Sequence, residues 1–208
     1  MITVVDYGMG NLRNVRRAFE SLGEEVVISA SAEVIERASA LILPGVGAFG
    51  EAVKRIDALG IRRAMLEHVA AERPLLGICL GMQLLFEESE ESPGARGLGL
   101  LHGVVRRLGP GLHVPHIGWN DVVPVRPSPL FPAEGGVFYF VHSYYAPASE
   151  WTVATTEYGI RYAAAVQQEN VYGVQFHPEK SQQTGLGMLR RVIAVMGSHQ
   201  STPANEPA

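Results

Sequence analysis

Four short apolar runs, Ile2-Thr3-Val4-Val5, Val26-Val27-Ile28, Leu41-Ile42-Leu43 and Pro74-Leu75-Leu76-Gly77-Ile78, punctuate the first part of the chain, and a helix-patterned stretch follows each. Strands separated by helices imply parallel pairing through crossovers. The alternation therefore restricts this region to an open, mostly parallel α/β sheet flanked by helices, in which ligands bind outside the carboxyl ends of the strands. The first helix is expected from about Asn11 to Leu22, closed by Gly23. The second half changes character. Val104-Val105, Val122-Val123, Val137-Phe138-Tyr139-Phe140, Val153-Ala154-Thr155 and Ala163-Ala164-Ala165-Val166 are spaced by turn residues with little helix between them. That pattern predicts additional antiparallel strands on the same core. A last helix is expected near Thr184 to Met196. One domain over residues 1–197 accounts for the pattern, and the polar, small, proline-containing residues 198–208 are expected to form a disordered tail. No internal repeat is present.

Composition narrows the function classes. At 208 residues and 47% apolar content, the chain can bury one sizeable core and is short for two. A net charge of −4 without a basic run gives no electrostatic case for nucleic acid. Glycine, proline and charged residues interrupt every apolar stretch before it could span a bilayer, so no membrane association is expected. The start of the chain runs directly into a strand without a basic region, and a single cysteine cannot form an internal disulfide. Both lead to the expectation of a cytoplasmic protein without a leader. Lysine occurs only at positions 54 and 180, which makes Lys180 harder to dismiss as random surface charge.

The single cysteine, Cys79, sits in Gly77-Ile78-Cys79-Leu80-Gly81, where an apolar strand gives way to a helical run, Leu80 to Glu87. This G-x-C-x-G pattern has the glycine spacing of a nucleophile elbow, with sulfur in place of oxygen. Small flanking residues let strand and helix approach closely, so the side chain at the turn stands exposed at the sheet's edge in a strained conformation. Only about 3% of an ordinary thiol is ionised at neutral pH, and the positive end of the following helix would favour the thiolate. The Leu80 N–H also points where an oxyanion would form. A buried structural cysteine is the competing reading, since lone cysteines are among the most buried residues.

A second cluster lies almost a hundred residues downstream, in Tyr172-Gly173-Val174-Gln175-Phe176-His177-Pro178-Glu179-Lys180. Val174 and Phe176 read as a buried strand with His177 at its end, and Pro178 restricts His177 to the extended region. In an extended segment residues two apart share a face, which would bring Glu179 beside His177. A histidine oriented by a carboxylate is what a weak nucleophile requires as its base. His142 is less suited to that role, having no carboxylate two residues away.

Gly77-Ile78-Cys79-Leu80-Gly81-Met82-Gln83 and Gly173 to Glu179 together resemble the class I glutamine amidotransferases, whose Cys-His-Glu triad hydrolyses glutamine to glutamate and ammonia. Within that class the chain is most similar to the glutaminase subunits of imidazole glycerol phosphate synthases, which serve histidine biosynthesis. Four further blocks, at residues 5–12, 44–50, 116–120 and 140–145, extend the resemblance over most of the chain. It implies a flavodoxin-like sheet, a triad of Cys79, His177 and Glu179, and L-glutamine as substrate; no zinc or redox cofactor is expected, because no cysteine or histidine cluster has ligand spacing. It also implies a separate (β/α)₈-barrel cyclase as partner, to which the ammonia passes.

The resemblance also assigns residues around the triad. Pro44-Gly45-Val46-Gly47 could be only a tight turn, and could cradle phosphate, although it lacks the Walker A lysine and serine. The family points to a third reading, an oxyanion strand whose peptide N–H joins that of Leu80. Gly45 and Gly47 would let that peptide rotate, making the hole switchable. Gln83, one helical turn after Cys79, is implied to hold glutamine. Most of the acidic run Glu87-Glu88-Ser89-Glu90-Glu91 is expected to be a solvated helix end, with one carboxylate, Glu91 before the others, pairing with the substrate ammonium. Ser143 and Tyr144 are expected at its carboxylate. Asn11, Trp119 and Lys180 look like interface residues, with Trp119 equally compatible with a core position. Glutaminase subunits for anthranilate or pyridoxal phosphate synthesis would keep the triad, but the blocks at Asp6 to Asn11 and Gly118 to Asn120 argue against them. A non-enzymatic interaction protein of the same fold would have no need to retain Cys79, His177 and Glu179 together.

Overall fold

A computed structural model describes residues 1–198, so most of the expected tail lies outside the described residues. The four apolar runs become β1 (Ile2–Val5), β2 (Val26–Ser29), β3 (Ala40–Gly45) and β4 (Leu75–Cys79). Between them lie α1 (Leu12–Glu20), α2 (Ala32–Arg37), α3 (Phe49–Ala58) and α4 (Arg62–Ala70). After β4 come a one-turn helix α5 (Leu80–Gln83) and β5 (Phe86–Ser89), then β6 (Leu101–Arg107), β7 (His116–Pro124), β8 (Gly136–His142) and β9 (Tyr144–Tyr145). The chain continues through β10 (Thr152–Tyr158), β11 (Ile160–Gln168), β12 (Val171–Val174), a 3₁₀ turn at Pro178–Lys180 and α6 (Gln182–Ser198).

One nine-stranded sheet, ordered β2-β1-β3-β4-β12-β11-β10-β7-β8, organises the molecule, with a small three-stranded sheet β5-β6-β9 beside it. The first five strands are parallel, and from β12 outward every pairing is antiparallel. Mixed pairing on one sheet matches the change in sequence pattern beyond residue 100. Parallel strands buried on both faces need apolar cover on both sides. Phe19 of α1 with Met188, Leu189 and Val192 of α6 covers one face. Ile35 of α2, Phe49 and Ile56 of α3 and Met65 of α4 cover the other.

The expected helix from Leu80 to Glu87 is corrected: it stops at Gln83, and Phe86–Ser89 is a strand. The backbone carbonyls that a continuing helix would use are taken by a later segment, with Leu98 N–H donating to Leu84 O at 2.7 Å and Leu101 N–H to Leu85 O at 3.0 Å. Leu84, Leu85 and Phe86 are all buried, which favours the pleat over a helix with one wet face. The acidic run is consequently a strand and turn rather than a helix end, and only one turn of helix dipole faces Cys79.

Candidate active site

β3 and β4 end side by side, Gly45 in register with Cys79, and the site forms on that edge. Cys79 has φ 55° and ψ −109°, a left-handed conformation for a residue with a side chain. Such geometry costs about 1–3 kcal/mol and persists only where packing imposes it. The packing is visible at Gly81, where an added Cβ would collide with the Leu43 carbonyl. The strand-to-helix turn therefore closes only around glycine, and it tips the Cys79 side chain into a cavity of about 250 Å³. Val46, Gly47, Leu80, Gln83, Glu91, Ser143 and Tyr144 line that cavity together with Cys79. Its size suits a molecule of amino-acid dimensions rather than a larger ligand.

His177 and Glu179 meet, with the His177 Nδ1 and a Glu179 carboxylate oxygen 2.8 Å apart and both side chains almost fully buried. The route differs from the expected shared face of a strand. β12 ends at Val174, His177 is extended at φ −104° before Pro178, and Glu179 lies in the 3₁₀ turn, which curls its carboxylate back onto the ring. Burial alone would lower the proton affinity of His177, but the negative charge of Cys79 and the Glu179 carboxylate outweigh it and raise the pKa to about 10. The His177 Nε2 makes no hydrogen bond of acceptable geometry, so we attribute the influence of Cys79 to charge across a short gap. The arrangement holds His177 as an imidazolium beside the Cys79 sulfur.

The other expected residues divide. Val46 and Gly47 reach the cavity, whereas Gly45 lies beneath it, where an added Cβ would strike the Tyr7 hydroxyl and Leu80. Glu91 is the carboxylate of the acidic run that lines the cavity; one of its oxygens also accepts the Phe49 N–H at 2.7 Å, capping α3. Gln83 points its amide nitrogen at Tyr144 O, 2.8 Å away, and at Gln175 Oε1, 3.1 Å away. Trp119 is 48% exposed, which settles its position against the core, and its ring meets Tyr139 edge-on at 5.9 Å. The Lys180 ammonium lies 5.8 Å from the centre of the same Tyr139 ring. Asn11 opens α1, which packs beside the 3₁₀ turn that carries Lys180.

Several residues of the site carry no assignment from sequence. The Tyr7 hydroxyl donates to Pro44 O at 2.8 Å, and burial, followed by the charge on Cys79, pushes its pKa well above the usual value. Gln175 is fully buried with its amide nitrogen 3.7 Å from Cys79 Sγ. The Cys79 thiol itself faces Val141 O at 3.8 Å. His142, also in the cavity wall, belongs to a polar cluster: its Nδ1 lies 2.9 Å from Tyr144 O, its Nε2 2.9 Å from the Tyr162 hydroxyl, and His116 Nδ1 3.0 Å from that hydroxyl. Burial is the main cause that lowers the His142 pKa to about 3, and the charges of His116 and His177 add to it. The signal for Gln175 was available, because residues 175 and 177 alternate with the core residues Val174 and Phe176.

Residues 3–194 match the family Glutamine amidotransferase class-I. The imidazole glycerol phosphate synthase subunit HisH of Methanothermobacter thermautotrophicus is 46% identical over 198 residues, covering 94% of this chain and 99% of its own. The corresponding subunit of Moorella thermoacetica is 49% identical over 193 residues, covering 91% and 92%. Among solved structures, one titled as a glutamine amidotransferase superposes with a TM-score of 0.74 at 25% identity, covering 95% of this chain and 100% of that one.

Proposed function

The chain belongs to the class I glutamine amidotransferases, and we propose that it is the glutaminase subunit of an imidazole glycerol phosphate synthase, hydrolysing L-glutamine to glutamate and ammonia for histidine biosynthesis. One observation carries the chemistry. A strained cysteine projects into an amino-acid-sized cavity with a carboxylate-held histidine behind its sulfur.

In this reading the Cys79 thiolate attacks the carboxamide carbon of glutamine, and the carbonyl oxygen becomes an oxyanion. The Leu80 N–H, at the first position of α5 and so without an intrahelical partner, stabilises that charge together with a peptide N–H from Gly45-Val46-Gly47. Collapse of the tetrahedral intermediate breaks the C–N bond as His177 gives its Nε2 proton to the departing ammonia. His177 then takes a proton from water, whose oxygen attacks the thioester, and glutamate leaves with the thiolate restored. Glu179 accepts from His177 Nδ1–H throughout, which fixes the ring and offsets its positive charge. Glu91 pairs with the substrate ammonium and Ser143 and Tyr144 with its carboxylate, while Gln83 borders the site.

The ammonia is delivered to a (β/α)₈-barrel cyclase subunit, docked over Asn11, Trp119 and Lys180. The exposed Trp119 ring and the placement of Lys180 on the same Tyr139 support that surface. Residues 1–197 form the amidotransferase domain, and the reaction belongs in the cytoplasm. Cys79→Ala tests the division of labour. In the assembled complex the variant is expected to lose glutamine-dependent synthesis entirely and to keep the rate supported by externally supplied ammonia; loss of both would place Cys79 in folding or docking instead.

A further inference from the structure

Two amide side chains, Gln83 and Gln175, connect the substrate wall to the sulfur, and their orientation is dictated by a group that cannot be reversed. The Tyr144 carbonyl is only an acceptor, so the Gln83 side chain must present its NH₂ to it, at 2.8 Å. The same NH₂ faces Gln175 at 3.1 Å, which obliges Gln175 to present its oxygen there. The remaining end of Gln175, its own NH₂, is thereby turned onto Cys79 Sγ at 3.7 Å. Flipping Gln83 would set its oxygen against the Tyr144 and Gln175 oxygens, and flipping Gln175 would set its NH₂ against that of Gln83 and turn its oxygen onto the sulfur, with both side chains buried. The Tyr144 carbonyl is itself held, because it also accepts from His142 Nδ1–H; as an acceptor only, it sets that tautomer and leaves His142 Nε2 to accept from the Tyr162 hydroxyl.

We propose that Gln175 is a positioning residue for the nucleophile: its amide N–H donates to Cys79 Sγ, stabilises the thiolate and holds the sulfur toward the cavity. The inference rests on the reading of Cys79 as the nucleophile. The sulfur has two neighbours of opposite character. Val141 O, at 3.8 Å, can accept only from the thiol form, whereas the Gln175 N–H improves as a partner once the proton is gone. Gln175 therefore favours the reactive ionisation state, and Gln83, by holding its oxygen, keeps it aimed. The titratable groups around the sulfur are His177, Tyr7, His142 and Glu91, of which His177 and Tyr7 respond directly to its charge. An amide adds to their effect a donor that does not titrate.

Because Cys79 is the only cysteine, alkylation of the full chain by iodoacetamide reports on this sulfur alone. In Gln175→Met, which keeps the bulk and removes the donor, the second-order rate at pH 7 is expected to fall about tenfold, with the rate–pH profile displaced to higher pH. Gln175→Glu, which keeps the shape and the Oε1 acceptor but replaces the NH₂ with oxygen, is expected to fall further. An unchanged profile in a folded variant, judged by far-ultraviolet circular dichroism, overturns the proposal. A measurement on the unmodified chain keeps it testable if both variants misfold: the Gln175 side-chain NH₂ resonance should titrate with the midpoint of Cys79 alkylation, and a resonance flat through that midpoint overturns it. The underlying reading fails separately, if fully alkylated chain still releases glutamate from glutamine in the presence of the cyclase.

Discussion

Two buried histidines stand near the same sulfur and hold their protons in opposite ways. His177 is raised to about 10 and His142 lowered to about 3, although each is almost completely removed from solvent. Burial disfavours the charged ring in both. His177 faces the Cys79 sulfur and the Glu179 carboxylate, both of which raise its proton affinity, while His142 faces a peptide carbonyl, a phenol and another imidazole. A neutral acceptor offsets little of the desolvation, whereas a nearby full charge reverses it. The difference teaches that histidine identity and burial do not assign a catalytic base; the charge of its partners does. In one corner of the site the histidine thus holds its proton against two groups that attract it, and in the other it stays neutral within a fixed hydrogen-bond pattern.

The comparison breaks most decisively in turnover. His177→Asn is expected to reduce glutamine hydrolysis in the complex by on the order of 10⁵–10⁶-fold, with Glu179→Gln one to two orders of magnitude less damaging, since other groups can partly orient the ring. Steady-state glutaminase kinetics on the two variants measure this. A Glu179 variant as inactive as the His177 variant would show that the carboxylate does more than orient.

The second consequence is of opposite pH limbs in stability. The unfolded chain protonates His142 near the ordinary value of 6.5 but the fold resists it down to about 3, so the unfolded state binds more protons across that window and stability falls as pH falls through it. For His177 the sign inverts: its contribution is full below about 6.5 and is lost as pH rises toward about 10. Each limb is worth on the order of a few kcal/mol. Urea unfolding across pH should find the acid limb flattened in His142→Phe and the alkaline limb flattened in His177→Asn. His68, buried beside Pro74 O with its pKa lowered by burial to about 4, adds its own acid slope, so flattening in His142→Phe is partial. Identical limbs in both variants would dissolve the contrast between the two corners.

The two corners were not equally legible from the chain. His177, Pro178 and Glu179 are adjacent in sequence, and Cys79 is framed by glycines at a strand's end, so local rules of backbone geometry find them. The parallel pairing of β1 to β4 follows from the same local alternation of strand and helix, while their order, β2-β1-β3-β4, emerges only in the structure. His142, His116 and Tyr162 come from three separate strands, β8, β7 and β11, and meet only through the long-range register of the antiparallel half. No local pattern encodes such a meeting. The run from Glu87 to Glu91 misleads for a related reason: its charges suggest a wet helix end, but pairing with β6 and capture of the Leu84 and Leu85 carbonyls by residues 98 and 101 decide the outcome. Glu91, put before the others only through the family resemblance, is the carboxylate of this run that lines the cavity, with one oxygen on the Phe49 N–H.

The hydrogen bond from Tyr7 to Pro44 O turns the end of β3 into a lever with a fixed fulcrum. With that carbonyl held, the Pro44–Gly45 peptide plane is pinned, and any reorientation of this loop falls to the peptides on the Val46 side. Tyr7 sits at the start of the turn from β1 to α1 that ends at Asn11, and Gly10 of this turn lies directly against Gly45. The hydroxyl that pins the end of β3 and the residue that opens α1 thus belong to one short piece of chain, Tyr7 to Asn11.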